Sequence, residues 1–239
     1  MYLAKLTSNG FKEALQQIDT IVLPVGSIEA HGPHCPISTD ILIPERMAAE
    51  LEGVLGDRLL IAPTIPYGYS PDLAYFPGTV HVSGETLAAY ICDVASSWLK
   101  WGIKHVVLLN GHGGNIPALT LATDKLVSKG ARVMTVSWWL HFSSTILEIC
   151  ESQGHAGEDE TSLVLAIDAS LVEMEKATAY EKRSKGYFKV PDMVTYTFPE
   201  AMNGDARKAT FAKGEAMYYD FALHLRDLIE ELWQDKIVS

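Results

Sequence analysis

The sequence predicts a layered α/β fold built on a largely parallel sheet, and two observations carry that expectation. Short runs of mostly apolar, β-branched residues at 21–25, 59–63, 105–109 and 132–137 show little strict alternation, the pattern of strands covered on both faces. Between and after them lie stretches whose apolar residues recur at helical spacing, so strand and helix alternate as they do in parallel sheets built by crossovers.

The elements follow in chain order. After the first run, a loop rich in glycine and proline leads into a helix predicted over 43–55. The run at 59–63 is followed by residues 66–79, full of turn formers and aromatics, which read as a pocket wall or as a packed surface loop. The spacing then predicts a helix over 84–101, with Leu87, Ile91, Val94 and Trp98 on one stripe, Ser83 as its N-cap and Gly102 as its stop. A helix over 116–129, with Asn115 as N-cap and Gly130 as stop, follows the third run, and a further helix is expected to begin near Gly157. Periodicity fades over 177–205, where a basic patch at Lys182, Arg183, Lys185 and Lys189 suits a lid, a subunit contact or a plain excursion. The chain closes with a helix over 212–234, whose Met217, Phe221, Leu225, Leu228 and Leu232 share a core-facing side.

At 239 residues one domain, 1–239, is expected. The formal charge of −11 argues against a broad nucleic-acid surface, which needs concentrated Lys and Arg, so a small-molecule substrate is the default partner. No stretch approaches the roughly 20 apolar residues of a membrane span, and the N-terminus lacks a secretory pattern, so no membrane association and a cytoplasmic location are expected. Cys35, Cys92 and Cys150 are widely spaced with no Cys-x-x-Cys pair, and they read as reduced thiols.

Three clusters carry chemistry. Residues 25–40 pack Glu29, His31, His34 and Asp40 directly after an apolar strand; Asn110-Gly-His-Gly-Gly-Asn115 follows another; and His155-Ala-Gly-Glu-Asp-Glu160 opens a helix. Each sets His or carboxylate among glycines, where backbone can approach an ion. The first two fall at carboxyl ends of strands, the edge where open α/β sheets collect ligands. Glu29 and His31, two apart, lean to one side of extended backbone. Asp40 can return to them through a loop turned by Gly32, Pro33 and Pro36, and it can give one oxygen to each of two cations. His112 adds an imidazole, and Glu160 can reach in from the first turn of its helix. A ligand set of oxygen and nitrogen without thiolate suits Zn, Mn or Fe and does not choose among them. Two divalent metal ions so held would activate a water for hydrolysis, with His155 as catalytic acid or base. His34 reads as either an orienting residue or a loop hydrogen-bonder, and His81, His105, His141 and His224 as structural.

At these residues the chain resembles the creatininase (creatinine amidohydrolase) family. The family's Gly-Ser-x-Glu-x-His-Gly-Pro-His segment leading to Thr-Asp stands here at 26–34 and 39–40, its Asn-Gly-His loop at 110–112, and its His-Ala-Gly-x-x-Glu-Thr-Ser segment at 155–162. Residues 76–79, 204–210 and 213–214 also resemble family segments. The resemblance implies a three-layer α/β/α fold with a mostly parallel central sheet, a dinuclear metal centre and a homohexamer. It implies Glu29, His31, Asp40 and His112 as metal ligands with Asp40 bridging, and His155 and Glu160 as active-site residues. The sequence departs at Gly113-Gly114, where creatininase proper has Tyr-Glu and its Glu binds metal; Glu160 is the expected substitute. It departs again at Glu151, where creatininase proper has a tryptophan packing on substrate, so creatinine itself is not the expected substrate. Relatives with the Gly-Gly loop resemble deformylases of formamidopyrimidine nucleotides, peptide-trimming proteins of cofactor maturation, and hydrolases of cyclic inosose ketones. The expected function is therefore metal-dependent hydrolysis of a carbon-nitrogen bond in a cyclic amide or formamide. Its alternatives are carbon-carbon ring opening of an inosose-type ketone on the same site, and a non-catalytic module in which the Asn110 loop cradles phosphate.

Overall fold

In the computed structural model, which describes residues 1–180 and 198–234, strands β1 (Thr20–Val25), β2 (Leu60–Ile61), β3 (His105–Asn110) and β4 (Arg132–Ser137) form one parallel sheet in the order β2-β1-β3-β4. Every residue of β1 and β3 is buried, which is why neither shows polar alternation. Successive side chains leave a strand on opposite faces, and this divides the interior in two. Ile21, Leu23, Val106 and Leu108 pack against α1 (Ser8–Ala14), α3 (Gly84–Leu99) and α4 (Ile116–Val127). Val22, Val107, Leu109 and Val136 pack on the other side against α2 (Thr39–Leu55), α6 (Ser143–Ile149), α7 (Glu158–Ile167) and α8 (Phe211–Trp233). The result is three layers, α/β/α, with the one-turn helix α5 (Trp138–His141) leading from β4 to α6.

Connectivity places the site. Strands β1 and β3 are neighbours, yet β1 runs on into α2 on one face and β3 into α4 on the other, so a crevice opens between their carboxyl ends. The start of α2 drops into this crevice: a Cβ on Gly111 would stand 2.0 Å from the carbonyl oxygen of Asp40, so only glycine lets β3 pass this close.

Some boundaries differ from the sequence expectation. Helix α2 begins at Thr39, not near residue 43, and Asp40 lies in its first turn instead of in a returning loop. The apolar stripe starts later because Asp40 faces the crevice, not the core, and an acidic residue there also complements the helix dipole. Only Leu60–Ile61 pair in β2, before Pro63 interrupts. Gly102 and Gly130 do end their helices, at φ of 106° and 89°. Ser83 caps α3 by accepting from Thr86 N–H, but Asn115 makes no cap hydrogen bond and belongs to the site. Of the 177–205 excursion, β5 (Ala179–Tyr180) pairs antiparallel with β6 (Gly204–Asp205), while Lys182, Arg183, Lys185 and Lys189 lie outside the described residues. Among the described residues no helix is long and apolar enough to cross a membrane.

Candidate metal centre

The three sequence clusters meet at the β1/β3 crevice. Glu29 and His31 come from the loop after β1, Asp40 from the first turn of α2, His112 from the loop after β3, His155 from the loop before α7 and Glu160 from the first turn of α7. Two triads form, Glu29-Asp40-His112 and His31-Asp40-Glu160, each with its ligand atoms within 4.8 Å of one another, and Asp40 belongs to both. Asp40 Oδ1 is 3.0 Å from His31 Nε2 and Oδ2 is 3.0 Å from His112 Nδ1, one oxygen to each side. Glu160 Oε2 lies 3.5 Å from His31 Nε2. Glu29, His31 and His155 form a third such group.

The imidazoles are set from behind. A carbonyl can only accept, so His31 Nδ1–H donates to Glu29 O, His112 Nε2–H to Tyr69 O and His155 Nε2–H to Ala30 O, each at 3.0 Å. Those bonds fix each tautomer when the ring is neutral and leave the inward nitrogen as a lone pair, the arrangement of metal-binding histidines. Glu29 Oε1 and Asp40 Oδ2 are buried and make no hydrogen bond among the described residues, although His112 Nδ1 is 3.1 and 3.0 Å away. Buried carboxylate oxygens are rarely left so, and a cation between them and the imidazoles would satisfy every one. The residues present therefore fit divalent metal.

Electrostatics agree with that crowding. Burial works against a charge on His31, but Asp40, Glu160 and Glu29 outweigh it and hold the imidazole up at about 10. His112 is likewise held well above its ordinary value, against burial, by Glu29 and Asp40. Asp40 is opposed by burial too, and His31 and His112 win, keeping it below the usual carboxylate range. Glu160 is pushed up to about 8, mainly by burial, and His155 down to about 4, by burial and by the neighbouring His31.

Gly114 explains how this loop lives without the glutamate of creatininase proper. A Cβ there would stand 2.0 Å from Tyr69 O and 2.4 Å from His112 Nε2, so no side chain fits without moving the His112 support. Glu160 supplies a carboxylate to the same centre, its Oε2 also accepting from Ala156 N–H at 2.6 Å. Ala156 is fully buried at a φ of +51°, a left-handed backbone that a non-glycine residue adopts only under constraint.

His34 does not remain within its loop: its Nε2 meets Thr161 Oγ1 at 2.9 Å, tying the β1 loop to α7. His105, His141 and His224 stay away from the centre, against Asp19, Ser137 and Phe142. His81 does more than sequence reasoning assigned it, accepting from Ser70 N–H at the rim. Sequence reasoning also missed Ser27 and Ser70, whose hydroxyls reach Glu29, and Trp139, which faces the cavity over the centre. Trp139 follows the carboxyl end of β4, so the sheet-edge rule that flagged the other loops was a signal for it. Ser27 and Ser70 lie on loops that follow β1 and β2, but nothing in the sequence marks their hydroxyls above their neighbours.

A cavity of about 350 Å³ opens on the centre, walled by Tyr69, Leu73, Trp139 and Phe198. No Lys or Arg among the described residues lines it. Glu151 stands outside, exposed and paired with Lys208.

Fold and site together define an α/β protein with a buried histidine-carboxylate centre at the carboxyl edge of a parallel sheet. The family model for creatinine amidohydrolase matches residues 4–229, and the chain belongs to this family. It is 30% identical over 231 residues to the mycofactocin precursor peptide peptidase of Mycolicibacterium smegmatis, covering 91% of this chain and 86% of that protein. It is 32% identical over 193 residues to the 3-dehydro-scyllo-inosose hydrolase of Thermotoga maritima, covering 77% of this chain and 61% of that protein. Solved creatininase structures share the fold, among them a Zn-Zn type and a Mn one; the latter matches with a TM-score of 0.84 at 26% identity, over 96% of this chain and 97% of the other.

Proposed function

We propose that the protein is a metal-dependent hydrolase that cleaves a carbon-nitrogen bond in a small cyclic amide or formamide. The observation that carries this reading is the set of three imidazoles whose outer N–H groups are spent on backbone carbonyls, so that the nitrogens turned inward to three buried carboxylates are lone pairs when the rings are neutral. Glu29, Asp40 and His112 hold one cation, and His31, Asp40 and Glu160 the other, as Zn, Mn or Fe. Such a pair supplies, when bound, an acidified water and a polarised substrate carbonyl. His155, neutral near pH 7 with Nδ1 facing inward, takes up a proton and returns it to the leaving nitrogen. The apolar walls Trp139, Leu73 and Phe198 thin the water around the reacting group. Both the peptidase relative and the amidohydrolase family point to carbon-nitrogen cleavage.

A second reading, ring opening of an inosose-type ketone by carbon-carbon hydrolysis at the same centre, draws on the inosose hydrolase relative, and a paired amide and ketone substrate screen separates the two. The phosphate-cradle alternative draws no support here: His112 and Asn115 N–H both donate within the chain, to Asn110 Oδ1 and His112 O, and the cavity wall carries no cation among the described residues. By family reading the chain assembles as a homohexamer, which light scattering on the purified protein tests.

The deciding experiment is elemental mass spectrometry of the purified protein with Asp40→Ala and Glu160→Ala. About two equivalents in the parent, most lost without the bridging carboxylate and about one lost without Glu160, is the expected result. A parent that neither retains metal nor takes up Zn or Mn overturns the reading.

A further inference from the structure

The two cation positions are not supported by the same parts of the fold. Two of the hydrogen bonds that steady the Glu29-Asp40-His112 position from outside come from the dipeptide Tyr69-Ser70. Tyr69 O accepts from His112 Nε2–H at 3.0 Å and so sets the ring that faces Glu29 and Asp40. Ser70 Oγ donates to Glu29 Oε2, and Ser27 Oγ donates to the same oxygen at 3.2 Å. Both serines are buried, at 2% and 0% exposure, so neither hydroxyl is diverted to water. With Oε2 saturated by two donors, only Oε1 is free to face the centre, and it is the oxygen that has no hydrogen bond among the described residues.

The dipeptide is itself anchored. Tyr69 N–H donates to Asn115 Oδ1 at 2.9 Å and Ser70 N–H to His81 Nδ1 at 3.2 Å. The Asn115 amide nitrogen reaches Gly26 O at 3.0 Å, linking the segment back to the end of β1. His31 and Glu160 have other supports: Glu29 O behind His31, and Ala156 N–H on Glu160.

We infer that Ser70 is a positioning residue for one metal position only, holding Glu29 so that Oε1 is the oxygen turned to the centre, with Ser27 as a second tether. The inference rests on the proposed metal centre. It deepens that reading by assigning the two cations different dependence on the fold. Hydrogen-bond partners behind metal ligands typically change affinity by about 10–100-fold, without touching the cation themselves.

The test is a Mn²⁺ titration of the metal-free protein by isothermal calorimetry and by electron paramagnetic resonance of free Mn²⁺, comparing the parent with Ser70→Ala, Ser70→Thr and Ser27→Ala. Ser70→Ala is expected to weaken one of two binding events by about 10–100-fold and to leave the other within about twofold. Ser70→Thr keeps the hydroxyl and is expected to retain both, and Ser27→Ala to weaken the same single event. Two unaltered events in Ser70→Ala, or equal weakening of both, overturns the inference while leaving the hydrolase reading intact. A parent that binds no metal removes both. Should Ser70→Ala fail to fold, Ser27→Ala decides on the same criterion: one event weakened supports the inference, and none or both weakened overturns it.

Discussion

His31 shows how strongly the centre is tuned by its own charges. It is fully buried, which disfavours its cationic form, yet three carboxylates hold its proton until about pH 10, and Glu160 beside it keeps its own until about pH 8. In the metal-free protein at pH 7, then, His31 and Glu160 hold their protons, and His112 is pushed in the same direction as His31 by Glu29 and Asp40. A cation needs the electron pairs those protons occupy, so binding must displace them. The sign follows from the raised values: below them protons compete, so affinity falls with falling pH and climbs through pH 8 toward 10. Calorimetric titration of Mn²⁺ into metal-free protein at pH 7, repeated in buffers of different ionisation enthalpy, is expected to show net proton release. Heats independent of the buffer, with affinity flat from pH 6 to 9, would contradict these assignments.

Ser83 and Asn115 looked alike in the sequence, both polar residues just ahead of an apolar helical stripe, and only one proves to be a cap. Ser83 accepts from Thr86 N–H at 3.2 Å on the exposed start of α3. Asn115 is buried, with its side chain between Tyr69, Gly26 and Asn110. Ser83→Ala should cost about 1 kcal/mol, or roughly 2–4 °C in Tm for a chain of this size, with metal content unchanged. Asn115→Ala frees the Tyr69 segment and should reduce metal content as well as Tm; a variant that loses only stability would show that the segment holds its place without Asn115. Helix stripes and buried strands were legible because periodicity reports the face a helix or strand turns to the core. Asn115 was not, since a side chain serving a distant loop leaves no local pattern. Asp40 was named as a candidate ligand, but its place in the first turn of α2 escaped in the same way, because there it turns away from the stripe by which helices are recognised.

Across the whole molecule the candidate ligands were legible because three clusters of His and carboxylate among glycines is an improbable coincidence, and strand alternation predicted that two of them share a sheet edge. Their convergence on one centre was expected too; what could not be read was the path of the chain that brings it about. The β1 loop, the start of α2, the β3 loop and the start of α7 meet only because α2 and α4 depart to opposite faces at the β1/β3 crevice. That same convergence makes the centre a cross-link. Without cations, Glu29 and Asp40 are buried beside His31 and His112, and Glu29 Oε1 and Asp40 Oδ2 have no hydrogen-bond partner among the described residues. Groups buried in this way oppose folding unless fully paired. A cation that binds only the folded chain adds RT ln(1 + [L]/Kd), about 2.7 kcal/mol when free metal is 100 times Kd. For this chain length that corresponds to roughly 5–10 °C for each position filled. Prolonged chelation should therefore lower Tm, and adding back Mn or Zn should restore it in a concentration-dependent way, with Asp40→Ala insensitive to both treatments. The alanine variant separates the centre from any general salt effect, because it removes the one carboxylate that both positions share while leaving the rest of the surface unchanged. An identical Tm with and without chelator in the parent would mean that the four segments are held together by packing alone and that the crevice is not a metal cross-link.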